Sequence, residues 1–431
     1  MKKTKIITIF QDRKTNIINY KEFFDEIIQI KQIIGDQNCI LETDGNILIR
    51  NYVGTFSTKS INLQVLPKIF CDANSDINIE IEESLEFLYR LLSWSTFFKF
   101  KSLESCRTIS KTNSFLEILI NIFINKFLIL FIKSNYREYI GIESLEIFLR
   151  GKVLFNKTID YDPSKIIKKN ILFDELDINN LINQIIKTTI LKLLSFSENL
   201  ENKKLLRKGL LFLENVQTIK LTQDLFNKIS FNRINLDYEP IINFAEMFFN
   251  NSEVKLGAGD KSVLAFTFQV NILFEFLIKN LLDNYCIGKN LTVTYQSGGF
   301  LATDKNNKKY FPLKPDFRIV SESNDTLVIL DTKYKKMVNS EDKLNIKISD
   351  MYQMCTYGIR FNCNSLVLIY PKYKGEENKF NDKVLYIKQK KIDFKIHMIQ
   401  IDIFKTEKEL IENELIEKLS LINDRESIVC Y

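Results

Sequence analysis

Three residues in the last third of the sequence have the types and spacing of a metal-dependent hydrolytic site. Asp316 follows a proline at the start of a predicted strand, and Asp331 ends the apolar run 327–330, with Lys333 two residues later. Residues two apart project from one face of a strand, so Asp331 and Lys333 are expected to share a pocket. Carboxylates on adjacent strands can converge on Mg²⁺, which prefers oxygen ligands and keeps several waters. The lysine can orient or deprotonate the attacking water, or stabilise charge on a phosphate.

Three other side chains are expected near this pocket. Glu275 lies among apolar neighbours on a predicted helix and could ligate the metal directly or through water. Gln353 and Tyr357 are four residues apart on the next predicted helix, so they share one face and could position the metal site or contact a DNA backbone. Each feature alone has an ordinary explanation, such as packing or a charged strand end. The pattern is far more specific when the motifs occur in one order, which is a helical acid followed by P-D, D-T-K and Q-x-x-x-Y.

The sequence around these residues predicts a multidomain α+β protein. A β-rich N-terminal module is expected at 1–80, where Asp44-Gly45 is a hairpin signal. A mainly helical middle domain with a β-hairpin insert at 139–159 is expected at 81–250, followed by a C-terminal α/β domain at 251–431. In that last domain the pattern predicts a helix, three strands, a helix and a strand, at 265–285, 291–296, 315–321, 326–332, 349–361 and 365–371.

Composition narrows any chemistry to carboxylates, lysine or a metal. The chain has seven cysteines without a C-x-x-C pair and one histidine, His397, which argues against a zinc site and against most histidine-based catalysis. Unpatterned cysteines and an N-terminus without an apolar signal-peptide region indicate a cytoplasmic protein. The apolar stretch 115–132 approaches membrane length but contains Glu117 and Lys126, so we expect a buried core helix and no membrane contact.

Two further patterns concern phosphate binding. The motif GAGDKS at 257–262 lacks the spacing of a phosphate-binding loop, and Asp260 would repel phosphate, so the chain itself is expected to bind no nucleotide. Runs of charge are usually solvated faces, but lysines around a metal site would also attract a polyanion independently of its sequence. Lysines cluster in this way at 305–309, 333–336, 372–374 and 388–391.

The order of the motifs resembles the PD-(D/E)xK nuclease core, and the chain resembles the McrC family. McrC is the nuclease subunit of McrBC-type modification-dependent (type IV) restriction systems, which defend against foreign DNA. The resemblance implies a restriction-endonuclease-like C-terminal domain, with Asp316 and Asp331 as metal-binding acids, Lys333 as the catalytic lysine and Glu275 as the upstream acid. The segments that carry it are LFEFLIKNLL, LKPDFRIV, LVILDTKYKK and MYQMCTYG, with LPKI (66–69), LRGKVLF (149–155) and FDELDINNLINQIIKTTI (173–190) upstream.

The same resemblance implies a reaction and a partner. The expected reaction is Mg²⁺-dependent endonuclease cleavage of modified double-stranded DNA, stimulated through an McrB-like AAA+ ring that hydrolyses GTP. Residues 81–250 are expected to bind that ring, and Arg150 and Lys152, which flank Gly151 between two apolar stretches, could contact the ring or the DNA. Two alternatives are a stand-alone PD-(D/E)xK nuclease of repair type and a non-catalytic DNA-binding or assembly subunit. The match at 149–190 argues against the first, and the presence of all three central residues argues against the second.

Overall fold

The computed structural model divides the chain into two compact units. One unit combines residues 1–113 with residues 256–431, and the other consists of residues 114–255. The structure describes residues 5–17, 20–58, 61–70, 76–94, 114–154, 169–251, 254–255, 262–337, 339–340, 343–344, 346–375, 382–388 and 393–424.

The N-terminal part of the first unit is a β-rich module with one helix packed inside its apolar cluster. The predicted hairpin is present, because β3 pairs antiparallel with β4 and Gly45 in the turn has a φ of 85°, which glycine adopts without strain. Helix α1 buries Ile27 and Ile30 in the same cluster as Ile47. The elements are β1 (Lys5–Phe10), β2 (Thr15–Asn16), α1 (Phe24–Ile34), β3 (Cys39–Leu41), β4 (Asn46–Ile49), β5 (Tyr52–Ser57), β6 (Ile61–Leu66) and α2 (Ile77–Trp94).

The second unit is mainly helical, as predicted for the middle of the chain. Its first helix is the apolar stretch noted above, the one helix among the described residues that is long and apolar enough to cross a membrane. Of its most apolar window, 72% is buried inside the fold, and Phe131 stacks on Phe212 of a neighbouring helix. The elements are α3 (Phe115–Lys133), β7 (Glu138–Glu146), β8 (Lys152–Val153), β9 (Lys169–Asp177), α4 (Leu181–Phe196), α5 (Leu200–Phe212), α6 (Gln223–Asn227), α7 (Glu239–Asn251) and β10 (Val254–Lys255).

The β insert of this unit is a three-stranded sheet and not the predicted hairpin at 139–159. Strand β7 pairs antiparallel with β9 over its whole length, and the two-residue β8 pairs with the other side of β9. Strand β9 is central because it pairs with β7 on one side and β8 on the other, and its Ile171 and Phe173 are buried. Residues 155–159 of the predicted hairpin lie outside the described residues. Gly151 has a φ of 78°, and a Cβ there would lie 2.2 Å from the carbonyl oxygen of Leu172, so the bend requires glycine.

The C-terminal part of the first unit contains a six-stranded sheet in the order β12-β15-β16-β19-β21-β20. The pairs β16–β19 and β19–β21 are parallel and the others antiparallel, and helix α9 connects β16 to β19. The elements are β11 (Ser262–Gln269), α8 (Val270–Cys286), β12 (Leu291–Tyr295), β13 (Phe300–Thr303), β14 (Lys309–Pro312), β15 (Phe317–Ser321), β16 (Thr326–Thr332), β17 (Asn339–Ser340), β18 (Lys343–Leu344), α9 (Ile348–Phe361), β19 (Ser365–Pro371), β20 (Lys383–Lys388), β21 (Asp393–Ile401) and α10 (Lys408–Asp424).

Tertiary pairing accounts for two differences from the sequence-based expectation. The helix predicted at 265–285 begins only at Val270, because the preceding residues form β11 and pair in register with β5. That pairing, together with packing of α2 against α8, joins the N-terminal module to the C-terminal α/β domain in one unit. The division therefore differs from the predicted boundaries at residues 80 and 250. Residues 257–261 of the GAGDKS motif and 389–391 of the last lysine cluster lie outside the described residues.

Candidate active site

The two aspartates lie side by side because β15 and β16 are antiparallel neighbours. Phe317 pairs with Leu330, so Asp316, which precedes the first, is adjacent to Asp331, which follows the second. The backbone N–H and the hydroxyl of Thr332 both donate to Oδ2 of Asp316, at 2.7 and 2.8 Å. These bonds fix the start of β15 to the end of β16 and hold both carboxylates at one edge of the sheet.

Lys333 reaches the same edge from the residue after β16. Its backbone N–H donates to the carbonyl of Ile369 at 2.9 Å, which continues the parallel pairing with β19 past the end of the strand. Its Nζ contacts Oδ2 of Asp331 and lies 3.4 Å from Oε1 of Gln353. The structure thus brings the three central residues together, on one face of the strand end as their spacing indicated.

Gln353 and Tyr357 connect this cluster to helix α9. The Nε2 of Gln353 donates to the hydroxyl of Tyr357 at 2.8 Å, and that hydroxyl donates to the carbonyl of Lys314 at 3.0 Å. The two side chains therefore share a helix face, as expected for residues four apart. They form a bridge from the amine of Lys333 to the loop that carries Asp316.

Glu275 is buried on α8, but its carboxylate is engaged by other groups. The Nε2 of Gln296 donates to it at 2.9 Å, and Tyr295 also hydrogen-bonds to it. Glu275 still lies close enough to Asp316 for their charges to interact. Among the described residues, no group of three or more His, Cys, Asp or Glu side chains is arranged to hold a metal ion. Glu275 therefore lies near the two aspartates with its carboxylate hydrogen-bonded by Tyr295 and Gln296, and its expected role as a metal ligand stays a prediction.

Burial and mutual repulsion raise the pKa values of the acids in this site. Asp331 is only 1% exposed, and burial together with the nearby Asp316 raises its pKa to about 7, against the opposing effect of Lys333. Burial also raises the pKa of Asp316, against its hydrogen bonds from Thr332, and raises the pKa of Glu275. Burial by itself lowers the pKa of Lys333, but the neighbouring acids, Asp331 foremost, outweigh it and raise that pKa. One protonated lysine thus faces several acids that resist ionisation together.

Three further residues hold the acids of the site. Thr332 fixes Asp316, while Tyr295 and Gln296 hold Glu275. Tyr295 and Gln296 gave no signal in the sequence, whereas Thr332 is marked by its place between the acid and the lysine of the motif. Lys335 forms an ion pair with the buried Asp350 at 2.5 Å, so its role is structural.

Arg150 and Lys152 lie in the other unit. The guanidinium of Arg150 stacks over the ring of Phe173, 3.6 Å from its centre, and lies 3.3 Å from Glu146. Lys152 is exposed, and Phe148 nearby is 81% exposed. Arg150 is thus partly committed to its own sheet, whereas Lys152 and Phe148 are available to a partner.

Asp331 is buried and Asp316 half-buried, and two such carboxylates with a lysine at a strand end can bind a divalent cation and act on a phosphate ester. Comparisons with known proteins identify similar folds. The fold is similar to a chain in the tetradecameric assembly of Thermococcus gammatolerans McrB AAA+ hexamers with bound McrC, with a TM-score of 0.75 and 18% identity over 97% of this chain and 100% of that chain. It is also similar to a chain of the T. gammatolerans McrBC complex, with a TM-score of 0.53 and 21% identity over 65% of this chain and 88% of that one.

At these identities the structural likeness establishes the fold alone. No curated protein matches the sequence. A model of the family described as "McrBC 5-methylcytosine restriction system component" matches residues 47–371. Because that match covers well over half of the chain, the protein belongs to the McrBC 5-methylcytosine restriction system component family.

Proposed function

We propose that this chain is the nuclease subunit of an McrBC-type restriction complex, in which it hydrolyses DNA phosphodiesters with the help of Mg²⁺. The observation that carries the proposal is the meeting of Asp316, Asp331 and Lys333 at adjacent strand ends. They lie within a helix, an antiparallel strand set, a helix and a parallel strand, an order that resembles the PD-(D/E)xK core. Cytoplasmic location and a role in defence against foreign DNA belong to the same proposal.

Asp316 and Asp331 would hold the metal. One or two carboxylates with retained waters are the usual protein ligands of Mg²⁺, so two acids suffice without Glu275. The raised pKa of both aspartates supports the fit, because a divalent cation would relieve the repulsion that keeps them from ionising together. When bound, the ion supplies a Lewis acid for the phosphate and acidifies a coordinated water.

Lys333 is assigned the role of a charged group. The sequence left open whether it deprotonates the water or stabilises charge, and its raised pKa favours the second, because the amine stays protonated at neutral pH. Gln353 and Tyr357 are positioning residues that orient the amine and tie it to the loop before Asp316. Glu275, held by Gln296, adds negative potential beside the aspartates.

The partner is proposed to be an McrB-like AAA+ ring that consumes the GTP. The similar T. gammatolerans chain belongs to an assembly of McrB hexamers with McrC, and the likeness covers 97% of this chain, far beyond the nuclease-like sheet. That coverage favours a complex subunit over a stand-alone repair nuclease. The middle unit, with exposed Phe148 and Lys152 at one end of its sheet, is the proposed contact with the ring.

Reconstitution tests the proposal. The full chain is mixed with an McrB-type GTPase, GTP, Mg²⁺ and methylated duplex DNA, and both cleavage and GTP turnover are measured. We expect cleavage that requires Mg²⁺ and stimulation of GTP turnover by this chain. Unchanged GTP turnover would contradict the partner, whereas stimulation without any cleavage would favour a non-catalytic assembly subunit.

A further inference from the structure

Strands β13 and β14 form a two-stranded ribbon that extends directly from the candidate active site. The antiparallel pair β12–β15 ends at Tyr295 and Phe317, and the pairing continues because the N–H of Gln296 donates to the carbonyl of Asp316 at 3.0 Å. Farther out, Phe300 pairs with Pro312 at the start of the ribbon. One chain of antiparallel contacts therefore runs from the sheet, past the aspartate, into the ribbon.

The base of the ribbon is closely fixed. The N–H of Leu313 donates to the carbonyl of Gly299 at 2.8 Å, and the Nε of Arg360 on α9 donates to the carbonyl of Phe300 at 2.9 Å. A Cβ at Gly298 would lie 1.5 Å from the carbonyl oxygen of Leu313, so the two chains approach as closely as glycine permits. The direction of the ribbon is thus coupled to the position of Asp316 three residues beyond Leu313.

Three exposed lysines give the ribbon positive charge at its surface. Lys305, Lys308 and Lys309 are exposed, and in the described part of the chain none of their amines pairs with a carboxylate. The one acid of the ribbon, Asp304, is used in its turn, where it accepts from the N–H groups of Asn306 and Lys308 at 2.8 and 2.9 Å. The ribbon therefore carries a net positive charge, since three lysines are set against one ionised acid, and the amines of Lys308 and Lys309 lie over the rings of Tyr310 and Phe300.

Apolar side chains are exposed between these lysines and the site. Leu301 is 51% and Phe311 66% exposed, so neither contributes to a core. Phe311 also has a φ of 57°, a conformation that costs energy for a bulky residue. A strained, exposed aromatic residue in a cationic ribbon is better explained by a binding partner than by stability.

We infer that the β13–β14 ribbon is an arm that grips duplex DNA beside the scissile phosphate, an inference that rests on the proposed nuclease function. A two-stranded ribbon fits the major groove, which is about 12 Å wide. The seven residues from Asp316 to Lys309 reach roughly 23 Å at ~3.3 Å per residue. At ~3.4 Å per base pair, this length lets the lysines contact phosphates about seven base pairs from the cut, while Leu301 and Phe311 contact the groove.

Metal-free DNA binding tests the arm. The variant Lys305→Ala, Lys308→Ala, Lys309→Ala in the full chain is titrated with a fluorescent duplex in EDTA, at about 50 to 200 mM NaCl. We expect binding weakened by about tenfold or more at low salt and a log–log salt slope reduced by roughly 2 to 3. The matched control, Lys220→Ala, Lys228→Ala, Arg233→Ala, removes three exposed cations from the middle unit and should leave the slope unchanged. Equal slopes for the wild-type chain and the arm variant would overturn the inference.

A second variant separates binding from folding. Glycine adopts the positive φ of residue 311 without strain, so the variant Phe311→Gly should unfold at no lower temperature than the unchanged chain. Its DNA binding should weaken several-fold because the aromatic contact is lost. Loss of GTPase stimulation with DNA binding intact would assign the arm to the ring and contradict the inference.

The outcomes are separable from the nuclease proposal. A wild-type chain that cuts DNA while the arm variants bind normally refutes only the arm, and an uncleaved substrate with weakened arm variants refutes only the nuclease.

Discussion

Glu117 in the middle unit and Asp331 in the candidate site are both buried acids, but their surroundings differ in kind. Glu117 accepts hydrogen bonds from four neutral donors, the Ser197 hydroxyl, the backbone N–H groups of Glu198 and Asn199, and the Asn202 amide. Asp331 instead faces the cation of Lys333 and a second carboxylate, Asp316. A buried acid satisfied by neutral donors stabilises helix packing, whereas two adjacent acids against one lysine have the perturbed pKa values that mark a candidate functional site.

Two lysines repeat the contrast. Burial in α3 lowers the pKa of Lys126 to about 8, because nearby Asp237 compensates only partly. Burial acts in the same direction on Lys333, yet its pKa is raised, because Asp331 and the neighbouring acids outweigh the loss of solvent. In the middle unit, burial therefore disfavours the charged form of Lys126, whereas in the candidate site the neighbouring acids favour the charged form of Lys333.

The largest expected effect is on DNA cleavage, and it distinguishes Asp331 from Glu117. Asp331→Ala should reduce DNA cleavage by at least about a thousandfold, ~4 kcal/mol in activation free energy, because a proposed metal ligand is lost. Partner binding should persist, since little core volume is removed. Cleavage by the reconstituted complex is the measurement, and a loss of less than about tenfold would rule out the assignment.

Lys333→Ala should reduce cleavage by about a hundredfold, because charge stabilisation at the phosphate is lost while the carboxylates remain. Mg²⁺ binding, measured by calorimetry, should persist, and removal of the amine should leave Asp331 free to bind the ion. If calorimetry showed metal binding lost as completely as in Asp331→Ala, the division of roles between the two residues would be wrong.

Glu117→Ala should lower the free energy of unfolding by about 3 kcal/mol, because its buried donors are left without an acceptor. Urea denaturation measures the change, and the cleavage rate per folded molecule should stay the same. The control is Glu201→Ala, which removes an exposed acid paired with Lys204 and should change stability by no more than ~0.5 kcal/mol. A comparable effect of both changes would show that the buried network contributes no special stability.

Lys126→Met should stabilise the chain by about 1 kcal/mol at pH 7, because the half-buried ammonium no longer loses solvent. Its folded-state pKa lies below the unfolded value near 10.5, so the unfolded chain binds more protons between pH 8 and 10.5. The gain in stability of Lys126→Met over the unchanged chain should therefore be constant below about pH 8 and should fall towards zero as the pH rises to 10.5. Lys133→Met, exposed on the same helix, serves as control, and a pH-independent difference would contradict the argument.

Arg150→Ala with Lys152→Ala should give the smallest effect, a reduction of about two- to fivefold in stimulation of the partner's GTP turnover, since exposed charges contribute little each. The loss should diminish at high salt, where surface charges are screened. The full chain must be used, because a cut at residue 250 would separate β5 from β11 within one unit. Unaltered stimulation at low salt would remove these two residues from the proposed interface.

The sequence by itself determined the candidate residues of the site and the strands that carry them. Asp316, Asp331 and Lys333 were identified from residue type and spacing alone, because the period of a strand decides which side chains share a face. Gln353 and Tyr357 followed from the helical period in the same way. Strands β15, β16 and β19 and helix α9 were also predicted within a few residues, since each has a strong local apolar pattern.

Only the tertiary structure decided which distant segments meet. Pairing of β5 with β11 joins residues 1–113 to 256–431, and no local pattern encodes a partner some two hundred residues away. For the same reason, the sequence did not indicate that Tyr295 and Gln296 hydrogen-bond to Glu275. Charge behaves likewise, because the pKa of Asp331 depends on its burial and on Asp316 beside it, and both exist only once the strands have paired.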